Sequence, residues 1–531
     1  MTVEGLSRAL DEWRLVLGRE RVLIDEAELS ARSRATHPTR GRLLASLRPN
    51  QREQVAALLS IASRHRVPVY PSSCGKSWGL GSRTPPRDAV LIDLGDLTRI
   101  SNFNERQGSI EVEPGVTFAQ LYDFLRAANS RFFLNVTGST PHASVLANAL
   151  ERGDGAGPYG ERFAHVCNLE VSLATGEVLR TGFGNFQGEN ISGVASAYRW
   201  GVGPSLDGLF SQSNMGVVTR LCLWLRPLPR SLHVLHFGIK NPARLGKLCD
   251  GLAELRLDGT LDSSIGIWND YRVVSACARF PTHTADPGQA LSREALERMP
   301  EWPGERWSAT TAIYAASPQV GHARRLHVER TLAPLVDGMS VTEASGDALV
   351  GRELVHPTEP AFKFLQGIPH EHSLLSAYWR KPIALPPPPT RGGAALDLEA
   401  DGCGLMWVCA ALPFTGEHLV KAVRLAEQLL PEHGFEPLIV ALGQSERALY
   451  FVPLMVYDRD TPGADERAQR CHDALYAGYA ELGYLPYRVG SQSMAQLPTA
   501  LDDRVATLQR LKRALDPAGI LAPGRYDWSD P

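Results

Sequence analysis

The chain has 531 residues, of which 44% are hydrophobic and 21% are charged. That balance is typical of a folded globular protein and excludes a largely disordered chain, while the length favours two or three domains. The 55 lysines and arginines nearly balance the 58 aspartates and glutamates, which leaves a formal charge of −3. Because such a chain has no overall field to attract polyanions, we expect no nucleic-acid partner and no membrane partner.

The eight cysteines are scattered along the chain and form no C-x-x-C pair. Paired spacing is what zinc ribbons and redox dithiols require, so neither is predicted. The first thirty residues carry charges throughout, and no run of about 18 apolar residues follows them. These features predict a cytoplasmic protein without an export signal or a membrane span.

Apolar periodicity alternates between helical and strand patterns in the N-terminal part of the chain. The helical pattern covers residues 4–18, 51–65 and 117–128. Strands are predicted at residues 67–71, 89–94, 109–114, 166–173, 177–181 and 217–226. This mixture indicates an α+β fold.

Prolines divide the chain further along. Pro227 and Pro229 interrupt the strand pattern, so we place a domain boundary near residue 229. Residues 230–480 again mix strands with amphipathic helices, and the run Pro386–Pro389 predicts a stiff surface connection. A last helix is predicted to end at Asp516-Pro517.

Glycine and serine dominate the segment YPSSCGKSWGLGSRTPP, residues 70–86. Small residues let backbone amides approach phosphate oxygens closely, which makes this segment a candidate phosphate-binding loop. A P-loop needs a glycine five residues before Gly75, but Tyr70 stands there. A Rossmann turn would lead into a helix rather than into prolines and a strand. An ordinary glycine-rich hairpin loop is the alternative.

Further blocks of the sequence accompany this loop. The full set is GKSWGLG at 75–81, LANALERGDGAGPYG at 146–160, WGVGPSLDGLFSQSNMGVVT at 200–219, Tyr378-Trp379-Arg380, Tyr487-Arg488 and LDPAGILAPGR at 515–525. In this order the blocks resemble the vanillyl-alcohol oxidase and para-cresol methylhydroxylase (PCMH) family of flavoproteins, which includes eugenol oxidase. The resemblance runs through most of the chain.

The resemblance implies an α+β fold in which a two-subdomain FAD-binding domain of the PCMH type carries a central α+β cap, the substrate domain. It places the FAD-binding domain at residues 1–229 and the cap at residues 230–484. Residues 485–531 would form a C-terminal segment that returns to the FAD-binding domain.

Bound FAD is the cofactor that the resemblance implies. The first glycine loop would wrap the diphosphate with Ser72, Ser73, Gly75, Lys76, Ser77, Trp78, Gly79 and Gly81. The ribityl chain and ring would meet Gly138, Ser139, Ser144, Asn148, Glu151, Gly153, Pro158, Tyr159 and Gly160. Gly216 and Val217 are expected at the adenine end, and Arg380 and Arg525 complete the predicted cofactor contacts.

Relatives often tether FAD covalently through a histidine, but Trp78 and Leu405 stand at the two matching places. Neither side chain can form that bond, so non-covalent FAD is predicted. A cysteine tether at Cys74 or Cys403 is the alternative.

Phenol oxidases of this family hold the phenolate between two tyrosines and an arginine, because a cation and two hydroxyl donors stabilise the anion. Tyr487 and Arg488 match one tyrosine and the arginine, and they are predicted to be catalytic; a contact at the domain seam is the alternative. Leu80 replaces the other tyrosine, and Ser139 stands where relatives carry a catalytic aspartate.

A base could come instead from His142, His370, Glu371 or His372. His370 and His372 are included among the predicted catalytic residues. On a strand they would share one face, so a metal pair is conceivable, although no metal is predicted without further ligands. The alternative is that these are solvent-exposed histidines of the cap with no role in catalysis.

The resemblance therefore implies an FAD-dependent oxidase or dehydrogenase that takes hydride from an alcohol or a para-alkyl phenol. A flavin-linked oxidase of a non-phenolic alcohol or lactone is one alternative, and a flavin-fold binding protein without turnover is another. We expect a small-molecule substrate, reoxidation by molecular oxygen or by an electron acceptor such as a cytochrome, and a homodimer.

Overall fold

The computed structural model describes residues 2–186, 191–283, 286, 288–345, 365–381 and 396–528. The proline run at residues 386–389 lies outside them. The helices are Val3–Leu17, Glu26–Arg32, Arg52–His65, Phe118–Ala127, Val145–Leu150, Ile191–Ala195, Leu245–Leu257, Asp270–Cys277, Arg293–Glu297, Pro318–Leu332, Gly416–Glu432, Ala464–Glu481 and Asp502–Leu515. None of the helices in the described ranges is long and apolar enough to cross a membrane.

The N-terminal sheet has four strands, in the spatial order Val22–Leu23, Leu43–Leu47, Ala89–Asp93 and Val69–Ser72. The last three are parallel neighbours, and the first glycine loop connects the two at the end of that order. Helices Val3–Leu17 and Arg52–His65 pack together, with Trp13 donating from its indole to Leu58 O at 3.1 Å.

A second sheet is antiparallel throughout, in the order Ile100–Asn104, Ser109–Val112, Val217–Trp224, Val166–Ser172 and Val178–Arg180. The short strands Phe132–Phe133 and Arg226–Pro227 pair separately. Apolar side chains of Phe118–Ala127 and Val145–Leu150 share one buried cluster with this sheet, which fixes the second glycine-rich segment, residues 137–160, against it.

The largest sheet lies in the second half of the chain. Its order is Gly338–Ser345, Ser231–Ile239, Trp307–Ala315, Ile265–Asn269, Leu438–Gly443, Ala448–Asp458 and Cys403–Trp407, with Ala410–Pro413 also paired to Ala448–Asp458. Every pairing is antiparallel. Helices Leu245–Leu257, Pro318–Leu332, Gly416–Glu432 and Ala464–Glu481 contribute buried side chains to the core on one of its faces.

After the helix Asp502–Leu515 the chain runs back to the N-terminal sheet. Val69 N donates to Ile520 O at 2.8 Å, and Ala522 N donates to Val69 O at 2.8 Å. Asp516 holds the turn before this contact by accepting from the backbone amides of Ile520 and Leu521. The C-terminal residues therefore lie beside the strand that leads into the first glycine loop.

The α+β mixture is confirmed, and each helix and strand predicted above is present within a few residues of its expected position. His370 and His372 are an exception to the strand geometry considered for them. His372 begins a 3₁₀ helix, His372–Tyr378, so alternation between strand faces does not apply to the pair.

Candidate functional site

A cavity of about 480 Å³ lies between the glycine-rich loops and the largest sheet. Its loop wall comprises residues from segments 70–82, 137–151 and 216–218, together with Arg488 and Arg525. Its sheet wall comprises Gly266, Trp268, Leu405, Trp407, Val440, Leu442 and, on the helix that follows one strand, Arg272. Strand residues alternate between faces, so Ile267, Met406 and Ala441 point instead into the core beneath the helices.

Hydrogen bonds to backbone carbonyl and amide groups connect the first glycine loop to distant parts of the chain. The Trp407 indole donates to Trp78 O at 2.9 Å, and Gln492 Nε2 donates to Gly79 O at 3.0 Å. Thr36 Oγ1 accepts from Gly79 N at 2.8 Å. These bonds fix the path of the loop between the two walls.

Two glycines in this loop have backbone angles and surroundings that exclude a side chain. Gly79 has φ 78°, and a Cβ atom there would lie 1.9 Å from the Trp407 ring. Gly75 has φ 66°, and its Cβ would lie 2.5 Å from the side chain of Arg83. Because left-handed angles also strain other residues, the loop requires glycine at both positions.

Ion pairs neutralise the cations of the loop wall. Lys76 Nζ lies 3.1 Å from Asp397, and Arg525 pairs with Glu151. Arg488 Nε lies 4.0 Å from the same Glu151. Burial opposes the charge of Arg525, but Glu151 outweighs it and raises the pKa of this guanidinium above its usual range.

Hydrogen bonds at the start of a short helix rigidify the second glycine-rich segment. Ser144 Oγ caps Val145–Leu150 by accepting from Ala147 N at 3.0 Å. Asn148 Oδ1 accepts from Arg162 Nε at 2.6 Å. Burial lowers the pKa of Arg162 to about 10, which still leaves this buried guanidinium charged near neutral pH.

Tyr487 and Arg488 both reach the cavity. The Tyr487 ring stacks on Tyr450 with centroids 4.0 Å apart, while its backbone N donates to Cys409 O at 3.0 Å. Arg488 donates to Ser77 Oγ in the first glycine loop at 2.9 Å. Burial raises the pKa of Tyr487 well above its usual range, so its hydroxyl keeps its proton and can donate.

Most predicted cofactor residues line the cavity. They are Ser72, Ser73, Gly75, Lys76, Ser77, Trp78, Gly138, Ser139, Ser144, Asn148, Glu151, Gly216, Val217 and Arg525. Gly79, Gly81, Gly153, Pro158, Tyr159 and Gly160 are not part of the lining. Tyr159 stacks instead on His165, with ring centroids 3.8 Å apart.

The residues proposed as bases lie away from the cavity lining. His142 is exposed, and Glu371 accepts from Thr140 Oγ1 and from Leu396 N, both at 3.1 Å. His370 Nδ1 accepts from the backbone of His372 at 3.2 Å. No group of three or more metal-ligating side chains occurs among the described residues.

Arg380 and Cys403 also lie outside the cavity lining. Arg380 pairs with Glu436 and packs over the Phe280 ring at 3.9 Å, inside the second half of the chain. The two tether positions, Trp78 and Leu405, do line the cavity, as does Cys74. Burial raises the pKa of Cys74 to about 11, which disfavours the nucleophilic thiolate.

Two charged residues of the cavity were missed by the sequence analysis. Asp154 lies in the GDGAG stretch of the second block, and burial raises the pKa of its carboxyl group, although Arg162 and Arg488 oppose the shift. Its position in a recognised block was an available signal. Arg272 lies in a helix, Asp270–Cys277, whose sequence carries no motif.

The residues present fit FAD. Five buried polar atoms of cavity residues have no hydrogen-bond partner in the described parts of the chain: Trp78 Nε1, Ser82 Oγ, Arg272 Nε, Gln444 Oε1 and Arg488 Nε. Each unpaired buried group costs about 1–3 kcal/mol, and a ligand rich in hydroxyl, carbonyl and phosphate groups would satisfy both donors and acceptors. Fold and cavity together define a flavin-binding protein.

Comparisons with known proteins agree with that class. Residues 44–182 match the FAD binding domain family, and residues 414–526 match the C-terminal domain of FAD linked oxidases. The second match crosses residue 484, where the cap was predicted to end.

Full-length relatives are also found. The chain is 40% identical to 1'-carboxy-chondrochloren decarboxylase of Chondromyces crocatus, over 99% of this chain and 98% of the relative. It is 27% identical to the 4-cresol dehydrogenase [hydroxylating] flavoprotein subunit of Pseudomonas putida, over 99% and 96%.

Two solved structures are similar over nearly their whole length. The crystal structure of p-cresol methylhydroxylase with substrate bound superposes with a TM-score of 0.87 at 25% identity, covering 100% of this chain and 99% of the other. The isoeugenol complex of 4-ethylphenol oxidase from Gulosibacter chungangensis gives the same TM-score, 0.87, at 25% identity, covering 99% and 98%. The chain belongs to the vanillyl-alcohol oxidase and para-cresol methylhydroxylase family, and it is an FAD-dependent oxidoreductase.

Proposed function

We propose that this enzyme removes hydride from the side-chain carbon attached para to a phenolic hydroxyl in a small-molecule substrate. The observation that carries the proposal is the placement of Tyr487 and Arg488 side by side in the cavity, at the first glycine loop. The relatives named for 4-cresol and 4-ethylphenol support the same substrate class.

The chemistry of the pair suits a phenolate. Arg488 supplies a positive charge, and the raised pKa of Tyr487 keeps its hydroxyl available as a donor. Both would stabilise the phenolate oxygen, and the ionised ring pushes electron density through its para position toward the attached side-chain carbon, where the C–H bond must break. FAD, when bound, supplies the hydride acceptor.

The two departures from the family pattern fit a changed pocket. Leu80 and Ser139, which replace the family's second tyrosine and its aspartate, both line the cavity. Asp154, whose pKa is raised by burial, supplies a carboxyl group on the loop wall. Because Leu80 cannot bond to the phenolate as the family's second tyrosine does, Tyr487 and Arg488 are the proposed binding pair for the phenol.

A second candidate function is oxidative decarboxylation, favoured by the 40% identical relative that is named a decarboxylase. Hydride loss from the side-chain carbon attached at the para position leaves a quinone methide. A carboxylate on the next carbon can then depart as CO₂, and its bonding pair forms the new C=C bond while the ring becomes aromatic again. The two electrons of the hydride leave with the flavin, so the reaction is balanced without another oxidant in this step.

We also propose that FAD is held without a covalent bond, as Trp78 and Leu405 at the tether positions favour. Reoxidation by molecular oxygen or by another electron acceptor, a homodimeric assembly and a cytoplasmic location complete the proposal. The division into residues 1–229, 230–484 and 485–531 is retained as a proposal beside it.

Anaerobic flavin reduction tests the main proposal. We expect 4-ethylphenol to bleach the flavin absorbance, whereas 4-ethylanisole, which has the same shape but no ionisable hydroxyl, should leave the flavin oxidised. Reduction by benzyl alcohol but not by 4-ethylphenol would contradict the proposal and favour the non-phenolic alternative.

Product analysis with 3-(4-hydroxyphenyl)propanoate separates the two candidates. Decarboxylation yields 4-vinylphenol and CO₂, whereas simple oxidation retains the carboxylate as 4-hydroxycinnamate or a hydrated product. Mass spectrometry distinguishes these products in a single turnover.

A further inference from the structure

One cation of the cavity differs from the others in having no acidic partner. Arg272 lines the sheet wall, and among the described residues no carboxylate lies within ion-pair distance of it. Lys76, Arg488 and Arg525, the other cationic side chains of the lining, each have a carboxylate oxygen within 4.0 Å. All four cations line the same cavity, so they differ only in the side chains that surround each of them.

Two acidic side chains, one close in sequence to Arg272 and one close in sequence to its partner Ser373, are bound elsewhere. Asp270, two residues away on the same helix, pairs with Arg293 and accepts from the Trp302 indole at 3.2 Å. Glu371 is occupied by Thr140 and Leu396. Neither carboxylate is available to neutralise the guanidinium.

The Arg272 guanidinium is held by two uncharged partners, and one of its nitrogen atoms bonds to neither. One terminal nitrogen donates to Ser376 Oγ, and the other lies 3.5 Å from Ser373 O. The Nε atom is buried and has no partner in the described segments. Burial lowers the pKa of Arg272 to about 10, so it remains charged near neutral pH although no described carboxylate pairs with it.

Arg272 also lies close to the loop wall. Ser373, next to one of its terminal nitrogens, donates from its hydroxyl to Gly138 O. Gly138 precedes Ser139, the residue that stands where relatives carry an acidic side chain. Ser373 therefore links Arg272 to the segment of the loop wall that carries Ser139.

We infer that Arg272 binds a carboxylate carried by the substrate on its para side chain. The inference rests on the proposed function and deepens it: the substrate class becomes (4-hydroxyphenyl)alkanoates and their derivatives, with the phenol at Tyr487–Arg488 and the acid at Arg272. A planar guanidinium can bind a carboxylate through two parallel hydrogen bonds, and the anion replaces the missing counterion.

Binding of two unreactive probes tests the inference without depending on turnover. 4-Hydroxycinnamate and its amide have the same shape, and neither has a saturated carbon attached at the para position to oxidise. In titrations of the FAD-loaded protein, followed by the flavin spectrum, we expect the acid to bind about 10- to 100-fold more tightly than the amide. In Arg272→Met this preference should vanish, with the affinity for the amide unchanged, and Arg272→Lys should restore part of it.

Arg279→Met is the matched control, because Arg279 is a neighbouring arginine that binds the Ala278 and Leu375 carbonyls and does not line the cavity. It should keep the preference for the acid. Equal binding of both probes by the unmodified protein would overturn the inference, as would equal weakening of both probes, or loss of FAD, in Arg272→Met. Failure of both 4-ethylphenol and 3-(4-hydroxyphenyl)propanoate to reduce the flavin would instead overturn the proposed function, because one phenol lacks the carboxylate and the other carries it.

Discussion

The two walls of the cavity differ in how they treat charge. On the loop wall, backbone carbonyls are tied down by Trp407 and Gln492, and each cation has a carboxylate close by. On the sheet wall, which is lined in part by apolar and aromatic side chains, Arg272 has no carboxylate partner among the described residues. The contrast indicates that the loop wall, whose cations already have carboxylate partners, suits a resident cofactor. The sheet wall instead offers a positive charge that an anionic substrate can neutralise.

The largest effect is expected at the loop wall, from Gly79→Ala. The new Cβ would collide with the Trp407 ring, and the left-handed φ of 78° adds strain, so the loop must move and FAD occupancy should be lost. Flavin absorbance per protein measures this. Gly259→Ala is the control, because Gly259 has the same φ of 78° but an open surrounding space. Equal FAD loss in both variants would show that strain alone, and not the wall contact, is responsible.

A smaller but still large effect is expected where the walls meet the substrate. Arg488→Ala and Tyr487→Phe should each slow flavin reduction by 4-ethylphenol about 10- to 100-fold, because each removes a donor to the phenolate worth about 1.5–3 kcal/mol. Rapid mixing at full FAD occupancy measures the rate.

Tyr450→Phe is the matched control, since Tyr450 stacks on Tyr487 but does not line the cavity. It should leave the rate unchanged. If Arg488→Ala and Tyr487→Phe melt at lower temperature yet keep the reduction rate of the unmodified protein, the pair belongs to the seam between the walls rather than to the substrate site.

A moderate effect concerns the junction of the walls at Thr36-His37. Thr36 links Leu405 O to Gly79 N, and burial lowers the pKa of the adjacent His37 to about 4. In the unfolded chain His37 takes up a proton as the pH falls through about 6.5, whereas in the folded protein it does so only near pH 4. The folded state is therefore fully stable, as far as His37 is concerned, above pH 6.5 and loses stability as the pH falls toward 4.

The loss from His37 amounts to about 3 kcal/mol across that window. Urea unfolding at several pH values measures it, and His37→Gln should flatten the decline. His283→Gln, at an exposed histidine, should not. A decline of the same size in His37→Gln and in the unmodified protein would assign the acid sensitivity to other groups.

The smallest structural difference is the presence or absence of one covalent bond to the flavin. Trp78 and Leu405 line the two walls at the family's tether positions, and the raised pKa of Cys74 disfavours its reaction. We expect acid precipitation to leave the flavin in the supernatant. Flavin in the pellet would contradict this, and Cys74→Ser would then identify the bond.

The loop wall could largely be predicted from the sequence, because its chemistry is local. Glycines and serines that let a backbone approach a phosphate stand close together, as at Gly75 and Ser77. Ile520 and Ala522, which bond to Val69, belong to the block at residues 515–525. Only the resemblance to the family predicted that this block returns to the FAD-binding domain.

The sheet wall could not be predicted in the same way. Trp268, Leu405 and Val440 come from three strands far apart in the chain, and only the antiparallel order of the sheet brings their shared face together. Arg272 carries no motif, and its importance appears only when its missing partner is seen. His370 and His372 were attractive for their spacing, but a 3₁₀ helix, which a two-residue interval does not reveal, determines their geometry.

Isotopic substitution tests the central claim, hydride removal from the side-chain carbon attached at the para position, most directly. Flavin reduction by 4-ethylphenol should be compared, under anaerobic rapid mixing, with reduction by the analogue carrying deuterium on the ring-attached carbon and by the one deuterated on the methyl group. The account predicts a several-fold slower reduction for the first analogue and an unchanged rate for the second. Equal rates for all three, under conditions where 4-ethylphenol saturates the enzyme, would contradict it.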